Sequence, residues 1–265
     1  MNDFDTTAGD PNSVDGHVVI VTGGSKGVGH GIALHLAHQG ATVVITARRQ
    51  EALDDVSAEL DALGAAHLAT TLNVADRDGA FALVEQTIAE FGRVDALVAN
   101  AQTFRSVTPF AEITEHDMDV LLNTGPKGTL WGMQAVFPHM RDQGRGRIVT
   151  MGSNAALLGA VGYAPYASSK EAIRALTRSA AREWGKLGIT VNCLCPVSAA
   201  HRVPPADEDP ERARMFAETY ANQPIPRDGD AEDDIGPVVQ FLLSDASRYM
   251  TGQTLMADGG AIMLV

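Results

Sequence analysis

Thr22-Gly23-Gly24-Ser25-Lys26-Gly27-Val28-Gly29 follows directly on an apolar, β-rich run over residues 17–22 and opens a helical pattern over residues 28–38. A turn so rich in glycine lets the backbone come close to a pyrophosphate. The helix start behind it offers free N–H groups and the positive end of the helix dipole. Glycine-rich turns are common, so the place of this one, between a first strand and a first helix, carries the reading. The spacing Gly23, Gly27, Gly29 departs from the G-x-G-x-x-G fingerprint. The turn is read as a dinucleotide cradle, with Gly23, Ser25, Lys26, Gly27, Val28 and Gly29 as its cofactor contacts.

Outward from this turn the chain alternates strand-like and helix-like segments. Further Val/Ile/Leu-rich runs cover residues 41–46, 67–72, 94–100, 147–151 and 189–194, with a shorter one near 253–256. Segments of 3.6-residue periodicity lie between them, over 51–63, 77–90 and 166–186. Gly40 stands where a helix C-terminal glycine belongs. Strict alternation implies right-handed βαβ crossovers and a mostly parallel sheet covered on both faces. The expected fold is α/β, a single Rossmann-type doubly wound domain over residues 16–265 with about seven strands. No solenoid repeat and no Pro/Gly/Ser linker interrupts it. Residues 196–226 are the exception: they carry Pro204, Pro205, Pro210, Pro224 and Pro226 and read as a substrate lid or loop, with a short helix within 211–220. Within it Met215, Phe216 and Tyr220 have helical spacing, suited to closing over an apolar substrate or to packing a lid helix.

Acidic residues number 33 against 20 basic ones, a net charge of −13 in 265 residues. With no dense Lys/Arg run, nucleic acid and anionic membranes are excluded as expected partners. Residues 1–15, with Asp3, Asp5, Asp10 and Asp15, read as a frayed acidic tail rather than a targeting peptide, and the protein as cytoplasmic. Cys193 and Cys195 read as two small core residues in a reducing compartment. No metal site is expected: His35 and His38 lie at i, i+3 on the first helix and read as exposed polar residues.

About 20 residues past the glycines, an acidic side chain would hold the adenosine ribose of NAD. Thr46-Ala47-Arg48-Arg49 supplies arginines there, and Lys26 lies in the glycine loop. Guanidinium and ammonium groups suit a 2′-phosphate, so NADP(H) is expected over NAD(H).

The fifth strand leads to Gly152-Ser153, and Tyr166-Ala167-Ser168-Ser169-Lys170 follows thirteen residues after the serine. Pro165 is placed to start a helix, which sets Tyr166 and Lys170 at i and i+4 on one face. An ammonium beside a phenol favours the phenolate, the tuning that general acid/base catalysis needs. A Tyr-x-x-x-Lys pair alone is a common helix surface pair. Here it stands downstream of a cofactor cradle and a strand-end serine able to orient a substrate oxygen.

With these motifs the chain resembles the classical short-chain dehydrogenase/reductase family over nearly all of residues 15–260. The matching features are the glycine pattern, Asn100-Ala101 after the fourth strand, and Ser153, Tyr166 and Lys170 with Asn123 as a catalytic tetrad. Asn192 with Pro196, and Asp258-Gly259-Gly260, complete the match. The resemblance implies hydride transfer between NADP(H) and a small-molecule secondary alcohol or ketone, with Tyr166 as acid/base. It implies Lys170 on the nicotinamide ribose and Asn123 on a water linking Lys170 to solvent. It also implies cofactor contacts from Arg48, Asn73, Val74, Asn100, Ala101, Pro196, Val197 and Ala199, and a homotetramer or homodimer. The alternatives are a 3-oxoacyl thioester reductase and a cofactor-binding protein without catalysis. The acidic charge disfavours carrier-bound substrates, as does Trp131, which resembles the site of a basic docking residue. Departures from the family pattern are Gln102, Asn73, Val197, and Ala200-His201 in place of an expected threonine. Pro126, three residues after Asn123, is expected to kink its helix and free a carbonyl near Leu122 or Asn123.

Overall fold

The computed structural model describes residues 10–104, 107–198 and 223–263, together with residues 210, 214, 218, 220 and 221. Seven parallel strands form one sheet in the order β3-β2-β1-β4-β5-β6-β7. They are β1 (Val18–Thr22), β2 (Thr42–Ala47), β3 (His67–Thr71), β4 (Ala96–Ala99), β5 (Gly146–Met151), β6 (Ile189–Pro196) and β7 (Thr254–Ala257). Around them lie α1 (Gly27–His38), α2 (Glu51–Ala62), α3 (Arg77–Phe91), α4 (Glu115–Leu122), α5 (Gly128–Gln143), α6 (Asn154–Leu158), α7 (Ala164–Trp184) and α8 (Gly236–Leu243).

The strands show why the sheet is covered on both sides. In β1, Val19 and Val21 join Ile32, Leu36 and Leu242 in one core, while Val18 and Ile20 join Leu83, Met133 and Val136 in the other. Period-two alternation with both faces apolar is the mark of a buried parallel strand. Strand order reverses between β1 and β4, which pair in register Val19 with Ala96. Ligands of doubly wound sheets bind in the crevice at the carboxyl ends of such strands.

One expectation needs correction here: residues 10–15, read as part of a frayed tail, dock on the domain. Val14 is fully buried in the core, Pro11 O accepts from Ala246 N at 2.8 Å, and Asn12 O accepts from Gln240 Nε2 at 2.9 Å. One apolar side chain and a few backbone bonds suffice to seat a segment that Asp10 and Asp15 made look solvated. The kink expected at Pro126 is a π-helical turn over Asn123–Lys127 joining α4 to α5. Pro126 has no N–H for the carbonyl four residues back, and the chain takes up a wider turn in which Gly128 N–H reaches Asn123 O.

Within the expected lid, Val197 N donates to Ala257 O at 2.9 Å, Ser198 and Tyr220 are buried, and residues 210, 214, 218, 220 and 221 have helical backbone. The expectations on Ala199, Ala200, His201, Met215 and Phe216 lie outside the described residues. His35 and His38 part ways. His35 is half-buried with Nε2 2.8 Å from Gln240 Oε1, and exposed His38 pairs with Glu232 at 2.8 Å. Among the described residues no helix is long and apolar enough to cross a membrane.

Candidate active site

The glycine turn owes its shape to two positive-φ residues, Gly23 (φ 69°) and Gly27 (φ 59°). Close packing requires Gly29: a Cβ there would lie 2.3 Å from Gly23 O and 2.4 Å from Asn100 Nδ2. Asn100 and Ala101, at the end of β4, staple the turn to the switch point. Asn100 Nδ2 donates to Thr22 O at 2.9 Å and to Gly23 O at 3.2 Å, and the backbone N–H groups of both residues donate to Thr22 Oγ1 at 3.0 Å. Asn100 therefore spends its side-chain amide on the cradle itself.

Lys26 occupies the N-cap position of α1, and no side chain caps that helix. The first-turn donors of Gly27, Val28 and Gly29 are thus left for an external acceptor, with the dipole favouring an anion. These features fit a dinucleotide pyrophosphate. Ser25 is half-buried beside them, and Lys26 and Arg48 are exposed. Among the described residues neither cation forms an ion pair. Asn73 is exposed after β3, and its Oδ1 accepts from Ala75 N at 3.2 Å, which occupies one of the two lone pairs expected to meet adenine. Val74 lies against Gly128, where a Cβ would come within 3.0 Å of Val74 O. Pro196 ends β6 opposite Ala257, and the Val197 N–H is held by β7.

Ser153 is buried just beyond β5 and caps α6, its Oγ accepting from Ala155 N at 3.2 Å. Tyr166 lies in the first turn of α7, which begins at Ala164 with Pro165 near its start, as proline's fixed φ favours. Lys170 is buried one turn on. Its Nζ donates to Met151 O at 2.8 Å and sits 5.5 Å from the centre of the Tyr166 ring. That bond brings the tyrosine helix to the strand end carrying Ser153. Asn123 is half-buried at the start of the π-turn, and its Oδ1 accepts from Lys127 Nζ at 2.8 Å. Ser153, Tyr166 and Lys170 thus lie at the carboxyl end of β5, while Asn123 is engaged by Lys127, an exposed lysine that sequence reasoning passed over.

Gln102 reaches across this region. Its Nε2 donates to Ser169 Oγ at 2.6 Å, and Ser169 Oγ in turn donates to Tyr166 O at 2.8 Å. Its Oε1 is buried without a protein partner among the described residues. Phe104 meets Tyr166 edge-on at 5.5 Å between ring centres, and both rings neighbour Tyr163. No sequence period links residues 104, 163 and 166, so this cluster escaped the reading. The Arg77 guanidinium of α3 lies 4.5 Å from the Phe81 ring centre and 5.8 Å from that of Trp131, which places a cation beside the tryptophan.

Comparison with known proteins agrees with this architecture. A family model described as enoyl-(acyl carrier protein) reductase matches residues 23–261. A 12alpha-hydroxysteroid dehydrogenase from a Clostridium species is 36% identical over 258 residues, covering 93% of this chain and 96% of that protein. The 3-oxoacyl-(acyl-carrier-protein) reductase of Staphylococcus aureus is 35% identical over 245 residues, covering 92% and 97%. The crystal structure of levodione reductase superposes with a TM-score of 0.85 at 30% identity, covering 92% of this chain and 96% of that one. The chain belongs to the short-chain dehydrogenase/reductase family and is an oxidoreductase acting on CH–OH groups.

Proposed function

We propose that the protein is an NADP(H)-dependent carbonyl reductase or alcohol dehydrogenase that interconverts a ketone and a secondary alcohol. The observation that carries this reading is the bond from the buried Lys170 ammonium to Met151 O, which ties the helix of Tyr166 to the strand end that leads to Ser153. When bound, NADP(H) supplies the hydride for reduction, or accepts it in oxidation. The Tyr166 hydroxyl gives a proton to the carbonyl oxygen as the C–O double bond is reduced, and takes it back in the reverse direction. Ser153 Oγ orients that oxygen, and Lys170 holds its ammonium beside the phenol and the cofactor ribose. Asn123 serves proton supply to Lys170 from solvent. Lys26 and Arg48, exposed and without ion pairs among the described residues, receive the 2′-phosphate. The remaining proposed cofactor contacts are Asn73, Val74, Ala101, Pro196, Val197 and Ala199, the last outside the described residues. The active form is a homotetramer or homodimer.

Purified protein is tested with NADPH and with NADH against a panel of ketones, following cofactor absorbance. Turnover with NADPH that exceeds turnover with NADH supports the reading, and no turnover with either overturns it. A second reading, reduction of 3-oxoacyl thioesters, draws on Arg77 beside Trp131 and on the likeness to the Staphylococcus aureus reductase. Preference for acetoacetyl-CoA over every free ketone would select it.

A further inference from the structure

We propose that Phe104 and Tyr163 form an aromatic wall beside the Tyr166 ring. The substrate it selects is a neutral ketone or secondary alcohol carrying an alicyclic or aromatic ring. This deepens the proposed reductase function and rests on Tyr166 as its proton donor.

Three aromatic rings stand together at the mouth of the crevice. Phe104 is 5.5 Å from Tyr166 and 6.1 Å from Tyr163, and Tyr163 is 6.4 Å from Tyr166, two of the three contacts being edge-on. Aromatic rings meet a further ring by edge or by offset face. Phe104 is 47% exposed, and the segment that leads to Tyr163 carries two more exposed apolar side chains, Leu158 and Val161. An apolar patch of this kind beside a reacting group marks a ligand surface.

The wall is preformed by its backbone. Thr108 N donates to Gly162 O at 3.0 Å, and Val107 packs on Gly162, where a Cβ would lie 2.1 Å from Val107 Cγ1. These contacts lock the segment after β4 to the segment between α6 and α7. Residues 152–165 carry no charged side chain, and residues 101–110 carry only Arg105, which lies outside the described residues. A hydrocarbon ring laid against aromatic side chains gains by burial.

Kinetics with 1-tetralone, 2-butanone, acetoacetate and acetoacetyl-CoA test the substrate class. Titration calorimetry of 1-tetralone into NADPH-loaded Tyr166→Phe tests binding apart from turnover. The native protein is expected to favour 1-tetralone in kcat/KM. Phe104→Ala is expected to lower the 1-tetralone to 2-butanone ratio about tenfold or more, mostly through KM. Phe104→Leu, which keeps apolar volume, should lie between them and guards against a folding defect. In the Tyr166→Phe background, Phe104→Ala should weaken 1-tetralone binding by a similar factor.

Preference for acetoacetate or acetoacetyl-CoA, or 1-tetralone binding indifferent to Phe104, would overturn the wall. If Tyr166→Phe reduces ketones at the native rate while 1-tetralone binding still depends on Phe104, the proton-donor reading fails and the wall stands.

Discussion

Lys170 Nζ donates to the backbone carbonyl of Met151 at 2.8 Å, two residues before Ser153 on the same strand end. The ammonium is buried, and this bond joins the helix of Tyr166 to the strand of Ser153. Lys170→Met keeps most of the stem volume and removes the donor. Leaving a buried acceptor unsatisfied costs about 1–3 kcal/mol, so the variant should melt earlier. Loss of the charge beside the phenol should also lower ketone reduction by about 100-fold or more. Thermal melts and turnover on one preparation separate the two effects, and near-native turnover would remove Lys170 from the mechanism.

Tyr166→Phe deletes one oxygen and keeps the ring that meets Phe104 and Tyr163. Folding and NADPH binding should therefore survive. Turnover should drop by roughly 10²–10⁴-fold, the usual contribution of a positioned proton donor. Ser153→Ala should impair turnover more than NADPH binding, although it also removes the cap of α6. Retention of more than about a tenth of the native rate in Tyr166→Phe, far above that range, would mean the proton comes from another group.

Cofactor choice turns on the end of β2. Arg48 is exposed there without an ion pair among the described residues, so its charge is not committed to the fold. Arg48→Asp should weaken NADPH by about tenfold or more, equivalent to about 1.4 kcal/mol, with little change in melting temperature. Fluorescence titrations with both cofactors check this. Equal affinity of the native protein for NADPH and NADH would contradict it.

Most of the architecture was legible because its signals are local. Strand–turn–helix order, glycine at positive φ, and the i, i+4 pairing of Tyr166 with Lys170 all sit within a few residues of one another. Helix α7 begins two residues earlier than read, at Ala164, because Pro165 is itself helical. What escaped depends on long-range contact. Phe104 and Tyr166 lie far apart in sequence with no shared period, and Arg77 reaches Trp131 from a different helix. Val14 gave no hint of docking, since a lone valine among aspartates has no pattern. Pro126 announced a lost hydrogen bond, but not that the chain would take it up as a π-turn.

Arg227, one residue past the expected lid, is tied to Asp234 in the turn before α8, its Nη2 donating to Asp234 Oδ1 at 2.8 Å. The hydrogen bond from Arg227, helped by one from Asp230 N, holds the Asp234 carboxyl down at about 2, below its ordinary 3.8. A depressed folded value means the pair's contribution is complete above the ordinary value and disappears as pH falls towards about 2. Both side chains are partly exposed, so salt should weaken the effect. Carboxyl carbon NMR of the native protein should show Asp234 titrating near 2, and Arg227→Met should move it back towards 3.8. An unchanged midpoint in the variant would show that the guanidinium does not hold the carboxylate.

Gln102 sets two opposed effects against each other. Its Nε2 bond to Ser169 Oγ stabilises the first turns of α7, a contribution of about 1 kcal/mol for an ordinary hydrogen bond. Its Oε1 is buried with no protein partner among the described residues, a cost of about 1–3 kcal/mol. Ser169 Oγ keeps its own bond to Tyr166 O when Gln102 is changed, so the helix does not lose its internal tie. Gln102→Leu removes donor and orphan acceptor together at similar volume. Burying the orphan oxygen costs at least as much as the bond contributes, so the variant should be as stable as the native protein or more so. Gln102→Glu should be clearly less stable, since it exchanges the Nε2 donor for a carboxylate facing the Ser169 hydroxyl and the tightly packed Gly125. Denaturant unfolding of the three proteins decides the matter. A loss of more than about 2 kcal/mol in Gln102→Leu would show that Oε1 is satisfied in solution and that Gln102 is part of a complete buried network.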